Sequence, residues 1–408
     1  MRSRGFLIQN APYLAAGALM TFMSSFGQTF FISVFGAEIR GTFGLSHGVW
    51  GGIYTLGTAV SAIVMVWAGS LTDIYRVRLL GPSVLVALAA ACLAMALNPF
   101  AALLPVVIFA LRLFGQGMSS HVALVAMARW FSASRGKALS IATLGFAVGE
   151  AILPISFVAL MVVVDWHLLW IVAALICLAG VPVIARLLAQ ERTPQALAQS
   201  DSSVGMGGRH WTRGEVLRDP LLWLMVPAIL GPPGFNTAFF FHQAYFAEIK
   251  GWRHVDLVAF FPLYTAIAVG AMLLSGWVLD RLGATRLMVY SQLPMVVAFV
   301  LFAVAAGPAA MLGGLFFLAL TTGAFATLPN AFWAEVYGTA HIGSIKALVA
   351  AVMVLGSAIG PGVTGLLIDL GIGLETQFLG IAFYFVAATL LMWLGVQRVA
   401  RVLRAQAS

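Results

Sequence analysis

Apolar stretches of about twenty residues recur along the whole of this chain, and short polar segments separate them. A helix of that length crosses the hydrocarbon core of a bilayer, so the pattern predicts a protein with many membrane spans. Only 9% of the 408 residues are charged and 62% are hydrophobic, whereas soluble domains carry about a quarter charged residues. The composition therefore excludes a water-soluble fold.

Twelve helical spans account for the apolar stretches, and the sequence predicts an all-α membrane protein. They are expected near 11–37, 48–71, 78–97, 101–128, 136–162, 166–188, 221–249, 255–279, 285–306, 309–333, 342–369 and 374–397. The N-terminal Met1-Arg2-Ser3-Arg4 leads into the first span without a small-residue cleavage site, so we expect this span to be retained.

The longest polar stretch, 190–219, divides the spans into two six-helix halves at 1–189 and 220–408. It contains Thr193-Pro194 and the run Gly205 to Gly208, which is typical of a flexible linker. Near its end, Thr212 and Glu215 have the spacing of a capping box, so a short surface helix is expected there.

Basic residues are distributed unequally between the two sides of the membrane. The net charge of +8 therefore reflects the topology of the chain and does not indicate a nucleic-acid-binding protein. With both termini inside, the opposite side holds only Arg40, Lys250 and Arg253. The cytoplasmic segments and span ends then hold Arg2, Arg4, Arg76, Arg78, Arg129, Arg135, Lys137, Arg186, Arg192, Arg209, Arg213, Arg218, Arg281, Arg286, Lys346, Arg398, Arg401 and Arg404. The positive-inside rule therefore predicts cytoplasmic termini, and we expect the protein in the bacterial inner membrane.

The two halves repeat each other in sequence. A shift of about 207 residues superimposes Gly69 on Gly276 and Asp73 on Asp280. The same shift superimposes Gly136 on Gly343, Gly149 on Gly356 and Pro154 on Pro361. Repeated six-span halves predict a binding site between them, near the middle of the membrane.

The repeated motifs after spans 2 and 8 place a glycine four residues before a carboxylate. Such a glycine lets a neighbouring helix approach closely, and the carboxylate can cap that helix or pair with an arginine. Both copies resemble the loop signature of the major facilitator superfamily, although the second copy has Ala284 and Thr285 in place of the basic pair. The resemblance implies a latch for alternating access, formed by Gly69, Asp73, Arg78, Gly276, Asp280 and Arg281. Static capping of the loops is the alternative.

One charged residue, Arg112, falls inside span 4, where burial of a charge is costly and calls for a partner. With a turn near residue 132, Glu150 of span 5 lies at nearly the same depth, so an ion pair is predicted. It resembles the arginine–carboxylate pair of the lactose-type proton symporters, with the residue types exchanged between helices. This implies proton coupling by Glu150 and Arg112, whereas a pair that only orients the helices is the alternative.

Other polar side chains supply the expected lining of the substrate site. Ser25 and Gln28 are three residues apart and share a helical face, and Gly231-Pro232-Pro233-Gly234 predicts a break in span 7. Histidines in spans titrate near neutral pH but are more often packed hydrogen-bonding residues. The candidate binding residues are Arg112, Ser25, Gln28, Thr29, Tyr54, Asn236, His242, Gln243, Tyr264 and Asn330.

The sequence contains no motif for metalloprotease, serine-hydrolase or nucleotide-triphosphate chemistry, so we expect a secondary active transporter and not an enzyme. Cys92 and Cys177 lie in apolar segments, and neither a metal nor a cofactor is expected. The stretch from Ser25 to Phe31, followed by Phe43-Gly44-Leu45-Ser46, resembles bacterial monocarboxylate porters. This implies proton symport of a small organic anion. We also expect a monomer in the lipid bilayer.

Two other functions remain open from the sequence. Gly145, Gly149 and Pro154 partly match the fifth-span motif of exporters, which favours proton-coupled efflux of drug-like amphiphiles. A membrane sensor that does not transport is a second alternative, although the linker and tail are too short for a soluble output module.

Overall fold

The computed structural model of the chain describes residues 2–69, 71–131, 135–189, 205–338 and 341–407. Over these ranges the backbone is almost entirely helical and contains no strand. Ten helices are each long and apolar enough to cross a membrane, and the bent first span makes an eleventh. With the shorter apolar helix of span 10, the described residues form the twelve predicted spans.

Four spans of the N-terminal half are single helices: span 2 at His47–Ala68, span 3 at Val77–Ala96, span 5 at Arg135–Met161 and span 6 at Trp166–Leu187. Span 1 comprises Arg2–Met23, the 3₁₀ turns Ser24–Gly27 and Ser33–Phe35, and the helices Thr29–Ile32 and Gly36–Phe43. Span 4 comprises Ala101–Leu103, Leu104–Leu111, the π-helix Arg112–Ser119, and Ser120–Trp130. A short helix, Leu71–Ile74, follows span 2.

In the C-terminal half, span 11 is the single helix Ile342–Asp369 and span 12 is the single helix Leu374–Ala407. The other four spans each consist of two helices. These are Pro220–Phe241 and Gln243–Ile249 in span 7, His254–Val258 and Phe261–Leu282 in span 8, Ala284–Tyr290 and Leu293–Val304 in span 9, and Pro308–Phe325 and Leu328–Tyr337 in span 10.

The chain forms two compact units. The first comprises Met1–Gln199 together with Phe240–Tyr245, a short part of span 7. The second comprises Ser200–Phe239 and Phe246–Ser408.

Glycines allow close helix packing in each unit. In the first unit, a Cβ atom on Gly145 would lie 1.8 Å from the Ala18 carbonyl oxygen, and one on Gly149 would lie 2.0 Å from the Ser25 hydroxyl. In the second unit, a Cβ atom on Gly356 would lie 2.4 Å from the Leu230 carbonyl oxygen. Small residues drive helix association in membranes because they let backbones approach within van der Waals contact. Spans 1 and 5, and likewise spans 7 and 11, therefore meet at backbone distance.

Span 7 does not break at its two central prolines, contrary to the prediction. The helix Pro220–Phe241 continues through them and ends before His242. Pro232 has no N–H, so it leaves the carbonyl of Ala228 without its helical donor. The buried side-chain amide of Gln292 donates to that carbonyl instead. A neighbouring span thus supplies the hydrogen bond that the proline removes, and the helix stays intact.

The end of the linker folds onto the end of span 10. The N–H of Met206 donates to the Val336 carbonyl at 2.6 Å, and the N–H of Trp211 donates to the Tyr337 carbonyl at 3.0 Å. Both pairs lie within the second unit. Residues 205–211 are therefore anchored, whereas 190–204 lie outside the described part of the chain.

The predicted capping box is confirmed at the start of the helix Arg213–Arg218. The Thr212 hydroxyl accepts from the Glu215 N–H, and the Glu215 carboxylate accepts from the Thr212 N–H at 2.7 Å. The backbone hydrogen bond from Thr212 is the main reason that the pKa of Glu215 is lowered. Because the pKa is lowered, the cap persists at pH values at which a free glutamate is already protonated.

The Gln292 hydrogen bond gives a testable contribution to stability. We expect Gln292→Leu to lower the free energy of unfolding by about 1–2 kcal/mol, because it leaves the Ala228 carbonyl buried without a donor. Thermal unfolding in detergent, followed by a thiol-reactive dye, measures this because Cys92 and Cys177 are buried in the folded protein. The exposed Gln9 provides the matched control Gln9→Leu. Equal midpoints for the two variants would contradict the role assigned to Gln292.

Candidate substrate site around Arg112

Arg112 lies where span 4 changes from an α-helix to a π-helix. Span 4 is α-helical over Leu104–Leu111 and π-helical over Arg112–Ser119. In the π segment, a Cβ atom on Gly115 would lie 2.5 Å from the Cα atom of Gly27 in span 1. The 3₁₀ turn that carries Gly27 therefore lies directly against the π segment. π-Helical segments are rare and are frequent at functional sites.

The close approach of the two backbones gives Arg112 its hydrogen bonds. Nη1 donates to the Gly27 carbonyl at 3.1 Å and to the Thr29 hydroxyl at 3.4 Å. The guanidinium carbon lies 5.4 Å from the centre of the Tyr54 ring, and the Tyr54 and Thr29 hydroxyls are 2.5 Å apart. Arg112 is only 1% exposed and Tyr54 is fully buried. Span 1 and span 2 thus enclose a cation from span 4.

Every described group around the guanidinium is neutral: one carbonyl, two hydroxyls and one aromatic ring. The Nε atom of Arg112 is buried and has no hydrogen-bond partner among the described residues. Removing a cation from water is costly unless a charge or several hydrogen bonds compensate it. The arrangement therefore compensates the charge of Arg112 only in part and leaves a donor for an anion.

The predicted ion pair between Arg112 and Glu150 is not formed. None of the hydrogen bonds and ion pairs of the described residues joins the two side chains. The reason is the position of span 1, which the depth argument ignored. Span 5 packs on span 1 through Gly149, beside the half-buried Glu150, while span 4 packs on span 1 through Gly115. Equal depth on consecutive spans did not bring the side chains together.

The remaining candidates of the first unit lie in the same region of span 1 or beside it. Ser25 is fully buried, and its hydroxyl has no hydrogen-bond partner in the described chain. Gln28 precedes the helix Thr29–Ile32 and is 9% exposed. Gln243 donates to the Ser33 hydroxyl at 2.9 Å, so this amide is already engaged in packing.

His242 lies in a separate cluster of the first unit. Its ring is buried, with its centre 6.0 Å from that of His47 and 5.0 Å from that of Phe241. Nε2 of His47 in turn lies 3.0 Å from Nη1 of Arg40, and the centre of the His47 ring is 4.1 Å from that of Tyr245. The structure therefore places His242 beside the imidazole of His47 and the ring of Phe241.

The candidates of the second unit that the structure describes, Asn236 and Tyr264, have different surroundings. Asn236 is half-buried, and its side-chain oxygen has no partner among the described atoms. The Tyr264 hydroxyl donates to the Thr322 hydroxyl at 3.2 Å. The side chain of Asn330 lies outside the described part of the structure.

The latch residues are only partly described, because the side chains of Asp73 and Asp280 lie outside the described atoms. The Gly69 carbonyl lies 3.2 Å from Nε2 of His121. Arg281 stacks on Trp277 at 3.7 Å. Arg78 is exposed, and a Cβ atom on Gly276 would meet nothing within 4 Å.

Glu335 is a capping residue that the sequence analysis missed. Its carboxylate in span 10 accepts the Ala284 N–H at 3.1 Å and the Thr285 hydroxyl, at the start of span 9. Ala284 and Thr285 occupy the positions of the basic pair in the family signature. The loss of that basic pair was the sequence signal that could have pointed to Glu335. Gly27 was also missed, because nothing in a single sequence shows which glycine faces Gly115.

Comparisons with known proteins agree with this architecture. The family model described as Major Facilitator Superfamily matches residues 17–309 and 264–407. No curated protein sequence matches the chain.

Two solved structures show the fold at low sequence identity. A bacterial homologue of the human lysosomal transporter Spinster, inward-facing and unoccupied, is 15% identical, with a TM-score of 0.72 over 96% of this chain and 98% of that chain. The nucleoside transporter NupG is 14% identical, with a TM-score of 0.69 over 94% of this chain and 98% of that chain.

Two substitutions separate the roles of the Tyr54 hydroxyl and ring. Tyr54→Phe removes the hydrogen bond to Thr29 and is expected to lower the free energy of unfolding by about 1 kcal/mol. Tyr54→Leu also removes the ring beneath Arg112, and we expect a further loss of about 1 kcal/mol. The thiol-dye unfolding assay measures both. A Leu variant as stable as the Phe variant would show that the ring does not stabilise the cation.

Proposed function

Because the chain belongs to the major facilitator superfamily, we propose that it carries a small organic anion, of the monocarboxylate type, together with a proton. Membership of this family makes the protein a multi-pass membrane transporter and not an enzyme. The observation that supports the substrate class is the buried Arg112, whose described partners are all neutral. We place the protein in the bacterial cytoplasmic membrane with both termini inside, on the distribution of arginines.

A carboxylate would supply the negative charge and the hydrogen-bond acceptor that Arg112 lacks. The planar guanidinium presents its N–H groups as a fork that matches the two oxygens of a carboxylate. Nη1 is already held by Gly27 and Thr29, which fixes the orientation of the group. The unpartnered Nε supplies a further donor and the positive charge a strong attraction. Thr29 and Tyr54 then act as the residues that position the arginine.

Glu150 is the proposed proton carrier. It follows Gly149, which packs against Ser25 in the same 3₁₀ turn that presents the Gly27 carbonyl to Arg112. Coupling therefore needs no direct ion pair, since a change at Glu150 reaches Arg112 through one turn of span 1. The substrate compensates the positive charge of Arg112, and protonation removes the negative charge of Glu150. Closing the occupied site away from water then costs less free energy.

The remaining predicted residues have secondary roles in this proposal. Ser25 and Gln28 lie next to the turn that holds Arg112, and we assign them to the substrate site with Thr29 and Tyr54. Asn236, His242, Gln243, Tyr264 and Asn330 are proposed to contribute lining in other steps of the transport cycle. Alternating access with a cytoplasmic latch at Gly69, Asp73, Arg78, Gly276, Asp280 and Arg281 is proposed on the family resemblance.

The substrate class is tested in proteoliposomes that contain a pH-sensitive dye. We expect short carboxylates to drive proton movement, and Arg112→Gln to reduce the rate at low substrate by about 100-fold, as loss of a buried charge pair implies. Arg213→Gln, at an exposed arginine of the surface helix, is the matched control. Proton release on addition of amphiphilic cations, with no response to carboxylates, would identify an exporter and leave Arg112 a structural role.

Proton coupling is tested separately at Glu150. We expect Glu150→Gln to abolish carboxylate-driven proton movement but to retain exchange of labelled carboxylate across the membrane, because Arg112 is unchanged. The pH dependence of exchange is expected to flatten, since the titrating group has been removed. If the variant still moves protons with an unaltered pH profile, Glu150 is not the carrier.

A further inference from the structure

A surface groove follows spans 9 and 12 in the second unit. Its wider end is a cavity of about 540 Å³ between the start of span 9, the end of span 10 and span 12. A second cavity of about 270 Å³ adjoins it and shares Val289, Tyr290 and Trp393 with it. We refer to the two cavities together as the 9–12 groove. No part of the transport mechanism proposed above uses it.

The wider end of the groove has a mixed lining and carries charged side chains of both signs, Arg286 and Glu335. Arg286 is exposed there, and it has no hydrogen-bond or ion-pair partner among the described residues. Glu335 also lines this end, although its carboxylate accepts two hydrogen bonds from the start of span 9. Each carboxylate oxygen has two lone-pair positions, so acceptor capacity remains. The two side chains form no described ion pair with each other, and an arriving group meets both charges.

A further basic side chain lies beside this end of the groove. The Nε atom of Arg401 donates to the carbonyl of Gln397, at 3.4 Å, and Gln397 itself lines the wider cavity. Arg401 therefore lies one helical turn beyond Gln397 on span 12, outside the lining of the cavity.

The narrower end of the groove is apolar. Leu293 and Leu390 line it and are 43% and 57% exposed. Tyr290 and Trp393 lie at the junction of the two ends, where amphipathic rings are typical of the membrane–water interface. Along span 12, the lining extends from Gln397 to Thr389, about 12 Å at the rise of an α-helix. The groove thus changes from charged to apolar over the length of a lipid headgroup and the start of its chains.

From this arrangement we propose that the 9–12 groove binds a phospholipid whose headgroup carries both a phosphate and a primary ammonium, a phosphoethanolamine lipid. Arg286 receives the phosphate, and Glu335 accepts a hydrogen bond from the ammonium. An acyl chain lies in the apolar end, along Leu293 and Leu390. A choline headgroup has no N–H to donate, and a glycerol headgroup leaves Glu335 without a cation.

The proposal is tested by native mass spectrometry of the purified full-length protein, mixed with equimolar phosphatidylethanolamine, phosphatidylcholine and phosphatidylglycerol of identical acyl chains. We expect retained phosphatidylethanolamine to exceed each of the others by about tenfold, which corresponds to one charge-assisted hydrogen bond. Equal retention of the three lipids would overturn the proposal. A preference for phosphatidylglycerol would also overturn it, since Arg286 would then act as a simple anion site.

Three variants assign the parts of the groove. Arg286→Gln is expected to reduce retention of all three lipids, whereas Arg213→Gln leaves it unchanged. Glu335→Gln removes the preference for ethanolamine over choline, and it keeps the binding that Arg286 supports. Leu390→Trp fills the apolar end and weakens retention of every lipid without altering the polar residues. Unchanged lipid selectivity in Glu335→Gln, in protein whose thermal unfolding midpoint matches wild type, would contradict the ammonium assignment.

Discussion

The position of Arg112 in the first unit depends on the backbone contact between Gly27 and Gly115. With any side chain at either position, atoms of the facing span would come closer than van der Waals contact permits. The contact brings a carbonyl group to Arg112 and seats the π-helical segment of span 4 against the 3₁₀ turn of span 1. A buried guanidinium without such acceptors would be far more costly. The two glycines are therefore a condition for placing a cation inside the bundle.

Small residues have the same role in both units. Gly149 lets span 5 approach span 1, and Gly356, the residue about 207 positions later, lets span 11 approach span 7. Apolar side chains gain little from packing on each other rather than on lipid, so close backbone contact contributes much of the association energy. This explains why the repeat is preserved most clearly at glycines, whose neighbours differ in chemistry but match in distance.

Irregular backbone in the spans is stabilised by side chains from neighbouring helices. Gln292 replaces the donor that Pro232 lacks, and Glu335 caps the start of span 9. In the bilayer no water is available for such groups, so each must find a partner within the protein. The same requirement explains why Arg112 donates to the Gly27 carbonyl and the Thr29 hydroxyl in the absence of a carboxylate. It also leaves its remaining hydrogen-bonding capacity available to a substrate, which is the basis of the proposed anion site.

The sequence by itself determined the membrane class, the twelve spans, the capping box at Thr212 and the burial of a charge, Arg112, in span 4. Hydropathy, local spacing and a charge in an apolar helix are local properties. Only the tertiary structure decided which spans and side chains contact each other. It placed span 1 against both Arg112 and the span of Glu150, kept span 7 continuous through its prolines with the help of Gln292, and brought Glu335 to span 9. These contacts join residues far apart in the chain. Their geometry depends on how the helices rotate and pack, which the order of residues along one helix does not contain.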